Sequence, residues 1–169
     1  MAAFSPDDCN RLDFEILAEG GVSLYYQHEV LGEDLAWLAL ERYEIVQFDE
    51  EALDTIDAFH FEFRVKLGLG DAYQATYDGL RDALSEVHVP PDGGYALILE
   101  AVDQLAIESP TAVHRLCEVF AEVSREFLLT GQRFVALLQT DDPQLTIPPF
   151  GAREVAWNPR ERAPWARGL

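Results

Sequence analysis

Two short apolar runs, YALIL at 95–99 and FVALL at 134–138, constrain the fold of this chain more than any other feature. Neither alternates with polar residues, and each is bounded by turn or polar residues. A run of this length and kind reads as a strand buried on both faces, as in a parallel sheet. Parallel strands need long crossovers, and helical periodicity supplies them. From Asp54 onward Ile56, Phe59, Phe63 and Leu67 fall on one helical face, and Gly68 and Gly70 punctuate the end of that stretch. The next helix is predicted to start at Asp71, with Gln74 placed as in a capping box. It runs to about Val87 with Tyr73, Tyr77, Leu80 and Leu84 as its stripe. After the turn at 90–94 and the strand at 95–99, a short helix is predicted within 101–107. Ser109 then caps, and Pro110 opens a long helix with Val113, Leu116, Cys117, Phe120, Val123 and Phe127 as its apolar face. Gly131 closes it. YEIVQF at 43–48 reads as a further strand, with Ile45 and Tyr43 facing inward. The order from Tyr43 is strand, helix, helix, strand, helix, helix, strand. That order predicts an α/β fold, with helices packed on a small, three-stranded, mainly parallel sheet.

The flanks divide from this centre. Residues 1–42 read as an N-terminal extension. In it, residues 14–17 and 22–26 surround Gly20-Gly21 as the two arms of a hairpin, and 31–42 forms a short helix or connector. Residues 43–139 read as the central domain, and 140–169 as an extended tail that wraps the domain or floats. The stretch 139–169 holds five of the nine prolines, and Trp157 and Trp165 predict that part of it docks. The last 19 residues carry four arginines against two glutamates, so the rest of the chain is more negative than the whole.

Charge narrows the function classes. Twelve Lys+Arg against 31 Asp+Glu give a net charge of −19. A field of that sign repels phosphate, which argues against nucleic acid and against an anionic membrane surface as partners. A basic partner, or simple solubility, is compatible with it. Cys9 and Cys117 show no metal-ligand spacing, so no metal site is predicted. The first residues, MAAFSPDDCN, lack the basic and apolar blocks of a signal peptide, and no apolar run reaches membrane-spanning length. A reduced, cytoplasmic location follows as an expectation. A phosphate-binding loop, a dinucleotide fingerprint, GxSxG and HExxH are all missing, and His28, His60, His88 and His114 are scattered. No enzyme activity and no cofactor are predicted.

Carboxylates are the one chemical resource in excess. Asp78 and Asp82 share a helix face, and Glu86 continues the line one turn later. Glu118, Glu122 and Glu126 make a second row on the long helix. Each row alone reads as a solvated face. Glycosidase chemistry also needs paired carboxylates, but nothing here supplies the aromatic lining of a sugar cleft.

The order of elements and several local strings resemble the barstar family of intracellular ribonuclease inhibitors, over roughly residues 43–139. EIVQFDEEALDTIDAFHFEFRVKLGL resembles the family's first strand and helix, and ALILE, EVFAEVSREF and FVALL resemble its second strand, fourth helix and last strand. LGDAYQATYDGLRDAL at 69–84 is the most specific stretch. The resemblance implies that Asp78 and Asp82 correspond to the aspartates that plug the ribonuclease active site. It implies that Glu122 and Glu126 correspond to acidic contacts on the fourth helix, and Tyr73 to a tyrosine of the preceding loop. The family's loop glycine is Gln74 here, its asparagine Thr76 and its interface tryptophan Arg81, and Gly70 stands where proline is usual. The implied partner is a basic ribonuclease or nuclease toxin, with carboxylates placed where phosphates would sit. The alternative is a structural or regulatory interaction module of the same family with no nuclease target.

Overall fold

Five strands form one sheet in the computed structural model, which describes residues 2–169: β1 (Val22–Tyr25), β2 (Tyr43–Phe48), β3 (Gly94–Leu99), β4 (Phe134–Gln139) and β5 (Ala156–Trp157). The order across the sheet is β2-β3-β4-β1-β5, and every neighbouring pair is parallel. The mixed α/β architecture with a parallel sheet is therefore as the sequence predicts, with β2, β3 and β4 adjacent. The sheet has five strands rather than three, because β1 and β5 continue it beyond β4. Val22 stands beside Ala136 and Leu24 beside Leu138, so the far edge of β4 is paired rather than bare.

Side chains alternate between two apolar layers, as the two-residue period of a strand requires. Tyr95, Leu97, Leu99, Phe134, Ala136 and Leu138 face one layer, built with α3 (Ile56–Lys66), α4 (Tyr77–Ser85), α5 (Val102–Glu108) and α6 (Pro110–Leu129). Ala96, Ile98, Val135 and Leu137 face the other, covered by α1 (Leu12–Ala18) and α2 (His28–Leu40). Burial on both faces is why the two apolar runs do not alternate. The predicted core residues Leu80, Leu84, Ile98, Leu116, Phe120 and Val135 are all buried.

The predicted hairpin at 14–26 is not formed. Residues 14–17 lie within α1, and only 22–25 form a strand, which pairs in parallel with β4. Gly20 and Gly21 do adopt positive φ, 111° and 83°. They end a helix instead of turning a hairpin: the Gly21 N–H donates to Ile16 O at 2.9 Å and the Gly20 N–H to Leu17 O at 3.2 Å. A side chain at Gly21 would run into Ser124 on α6, since its Cβ would come 1.9 Å from Oγ.

The tail docks on the body. β5 pairs with β1, and the buried Glu161 carboxylate accepts the backbone N–H groups of Tyr26 and Gln27 at 2.9 and 2.8 Å. Arg160 binds Glu33 and Asp34, Arg162 lies 2.6 Å from Glu19, and Arg167 stacks 4.3 Å over the Trp157 ring. Two arginines of this segment, Arg160 and Arg162, thus pair with acids of α2 and of the C-terminal cap of α1, while Arg153 and Arg167 donate to backbone carbonyls.

Candidate functional site

The candidate site is built on α4 and the loop before it. At the end of α3, Gly68 takes φ 62°, and the Leu69 N–H returns to Arg64 O at 2.9 Å, so the chain reverses sharply. The loop is then held at two points. Arg64 lies 2.6 Å from Asp71, and the Tyr73 hydroxyl lies 2.7 Å from Nδ1 of the buried His60. Burial lowers the His60 pKa, against a smaller upward pull from Asp57, and raises that of Tyr73 to about 12.

The helix starts later than its predicted origin at Asp71. Its cap is Thr76, whose Oγ1 accepts the Gly79 N–H at 3.0 Å, and Asp71 is spent on Arg64. Tyr73 and Gln74 therefore belong to the loop. Gly79 lets this loop lie directly on the helix, because a Cβ there would come 2.2 Å from the Gln74 carbonyl oxygen. Asp78 sits in the first turn, where the helix dipole favours a carboxylate.

Leu80 and Leu84 anchor α4 in the core, and Asp78, Arg81 and Asp82 stay exposed. Asp78, Asp82 and Glu86 line a cleft of about 410 Å³ together with Tyr73, Gln74 and Leu69. Glu122 and Glu126 project from the exposed side of α6. They meet α4 through Arg81, whose Nη2 lies 2.5 Å from Glu126 and whose Nε lies 3.5 Å from Glu122. The bond to Glu126 raises the Arg81 pKa. Arg115 on α6 also stacks 5.2 Å over the Tyr77 ring, which ties the two helices again.

The six residues singled out in the sequence thus fall into two groups. Asp78, Asp82 and Tyr73 share the cleft; Arg81, Glu122 and Glu126 share an ion-pair cluster beside it. Asp78 and Asp82 make no ion pair among the described residues, since Arg81 turns to α6. Two contributors are absent from the sequence-derived site. Glu86 lines the cleft, and its signal was its place one turn after Asp82. His60 anchors the loop from α3, and nothing in the local sequence marks it for that task. Among the described residues no cluster of His, Cys, Asp and Glu could hold a metal ion, and no helix is long and apolar enough to cross a membrane.

Comparison with known families adds a second line. Residues 43–139, more than half the chain, match the family described as Barstar (barnase inhibitor). No curated protein matches the chain.

Proposed function

The chain belongs to the barstar family, and from that premise we propose that it inhibits a basic ribonuclease or nuclease toxin by filling its phosphate-binding cleft with carboxylates. The observation that carries this reading is the pair Asp78 and Asp82, one turn apart on a single exposed face of α4 and free of ion pairs among the described residues. A ribonuclease cleft presents Arg, Lys and His to phosphate, and carboxylates satisfy the same donors through charge-assisted hydrogen bonds. Two carboxylates fixed on a capped helix, with the preceding loop held by His60 and Arg64, lose little freedom on binding. The −19 charge steers a cationic partner toward the protein, so association should slow steeply as salt rises.

Inhibition of RNA cleavage by barnase, used as the probe, tests the reading directly. The unmodified chain should inhibit, and Asp82→Ala should weaken inhibition by about tenfold or more, because it strands a desolvated cation on the enzyme. Capture from cell lysate should return a basic ribonuclease. A regulatory module without a nuclease target would neither inhibit nor capture one.

A further inference from the structure

The acidic residues of the proposed binding face are not equivalent. Asp78 and Asp82 are free of ion pairs among the described residues, whereas Glu126 and Glu122 lie 2.5 and 3.5 Å from the Arg81 guanidinium. The Ser85 hydroxyl donates to Arg81 O at 2.9 Å and lies a longer 3.3 Å from the second oxygen of Glu126, so the Arg81 guanidinium is the main hold on this carboxylate. A guanidinium of this chain therefore occupies the place that a partner's cation would take against α6. An arginine or lysine arriving there must displace Arg81 or share a carboxylate with it, and like charges at one site oppose each other.

We propose that Arg81 is a specificity-determining residue: an internal cation that reserves Glu122 and Glu126. It weakens binding of partners that set a cation opposite α6, relative to partners whose basic groups converge on Asp78 and Asp82 alone. This rests on the ribonuclease-binding reading above. Arginine suits the task better than lysine, because its planar fork addresses two carboxylates from one position. The three side chains are about half exposed, at 45%, 51% and 45% for Arg81, Glu122 and Glu126, so their pairing contributes little to folding. Its effect falls on which cations the face accepts.

Calorimetric titration with barnase as the probe, at low salt and on the full chain, tests the assignment. The proteins are the unmodified chain, Arg81→Lys, Arg81→Met, Glu126→Gln and the double variant Arg81→Met/Glu126→Gln, with Asp82→Asn as reference. Arg81→Met should tighten binding by about tenfold, while Arg81→Lys, which keeps the charge, should stay near the unmodified chain. Glu126→Gln alone should change affinity by less than about threefold, yet in the Arg81→Met background it should remove the whole gain. Thermal unfolding should be nearly the same for all of them. If Arg81→Met binds no tighter, or Glu126→Gln costs the same in both backgrounds, Arg81 is not a filter. The inhibitor reading then still stands wherever Asp82→Asn abolishes binding. If neither the unmodified chain nor Arg81→Met binds at all, the inhibitor reading fails and the Arg81 assignment fails with it. That outcome shows as missing binding rather than missing coupling.

Discussion

The hydroxyl of Tyr73 stands 2.7 Å from Nδ1 of His60, and this contact joins the loop before α4 to the buried face of α3. Phe63 reinforces it, with its ring centroid 5.6 Å from that of Tyr73. The loop that walls the acidic cleft is therefore coupled to a histidine that burial holds neutral.

The burial of that histidine makes stability depend on pH in a definite direction. The His60 pKa in the folded protein lies below its ordinary 6.5, chiefly through burial, with Asp57 opposing. Below about pH 6.5 the unfolded chain takes up a proton that the folded chain resists, so stability falls as pH drops from 6.5 through the folded value. Above 6.5 this contribution is constant. Urea unfolding at pH 7.5 and 5.5 should show a smaller loss for His60→Asn than for the unmodified chain.

Removing the Tyr73 hydroxyl isolates the contact itself. Tyr73→Phe should cost about 1 kcal/mol of stability, the net worth of one hydrogen bond. Hydrogen exchange should show the largest change in residues 69–76.

Gly79 separates the loop from the helix by the width of a missing methyl group. Gly79→Ala would bring Cβ to 2.2 Å from Gln74 O, so loop or helix must move. The expected cost is about 1–3 kcal/mol, with weakened partner binding. Urea midpoints and affinity measured on one preparation check both.

Phe120 is fully buried where α6 meets the sheet. Phe120→Ala should cost about 3–5 kcal/mol. A urea midpoint shift worth less than about 1 kcal/mol would show that the cavity had collapsed or that the contact is not made in solution.

Asp82 and Glu161 are carboxylates with opposite assignments. Asp82 is exposed and unpaired among the described residues, so Asp82→Ala should move stability by less than about 0.5 kcal/mol while weakening partner binding. Glu29, exposed on α2 at the opposite face of the sheet, is the control, and Glu29→Ala should leave binding unchanged. Glu161 is fully buried and accepts from Tyr26, Gln27 and Asn158. Glu161→Ala should cost about 3 kcal/mol or more, because it leaves buried donors without an acceptor. Thermal unfolding of the three variants side by side separates them.

How far the fold is legible in the sequence depends on the range of each signal. The runs at 95–99 and 134–138 declare themselves because both faces are buried, and the α6 stripe because its period is uninterrupted from Val113 to Phe127. Gly20-Gly21 misleads because positive φ serves a helix end as well as a hairpin turn. The deciding contacts, Ser124 against Gly21 and Ala136 beside Val22, lie more than a hundred residues away. The site divides in the same way. The shared face of Asp78 and Asp82 follows from spacing along one helix. The attachment of Arg81 to Glu126 spans 45 residues, and that of Tyr73 to His60 depends on how α3 packs. Asp71 and Thr76 are both acceptable caps by local rules; in the fold Thr76 accepts the Gly79 N–H and starts the helix, while Asp71 lies in the loop facing Arg64.

The sheet order β2-β3-β4-β1-β5 also sets a timetable for synthesis. β1 is made early, yet both of its neighbours come late: β4 at 134–139 and β5 at 156–157. While the ribosome works through the chain between, both hydrogen-bonding edges of β1 and the side chains of Val22 and Leu24 lack their permanent partners. Non-local pairing of this kind slows folding and leaves apolar surface bare in the meantime. A nascent chain of this protein should therefore be a client for chaperones until the segment around Trp157 emerges. Any inhibition that depends on the finished fold would then lag behind translation by the time the last parallel strand takes to dock.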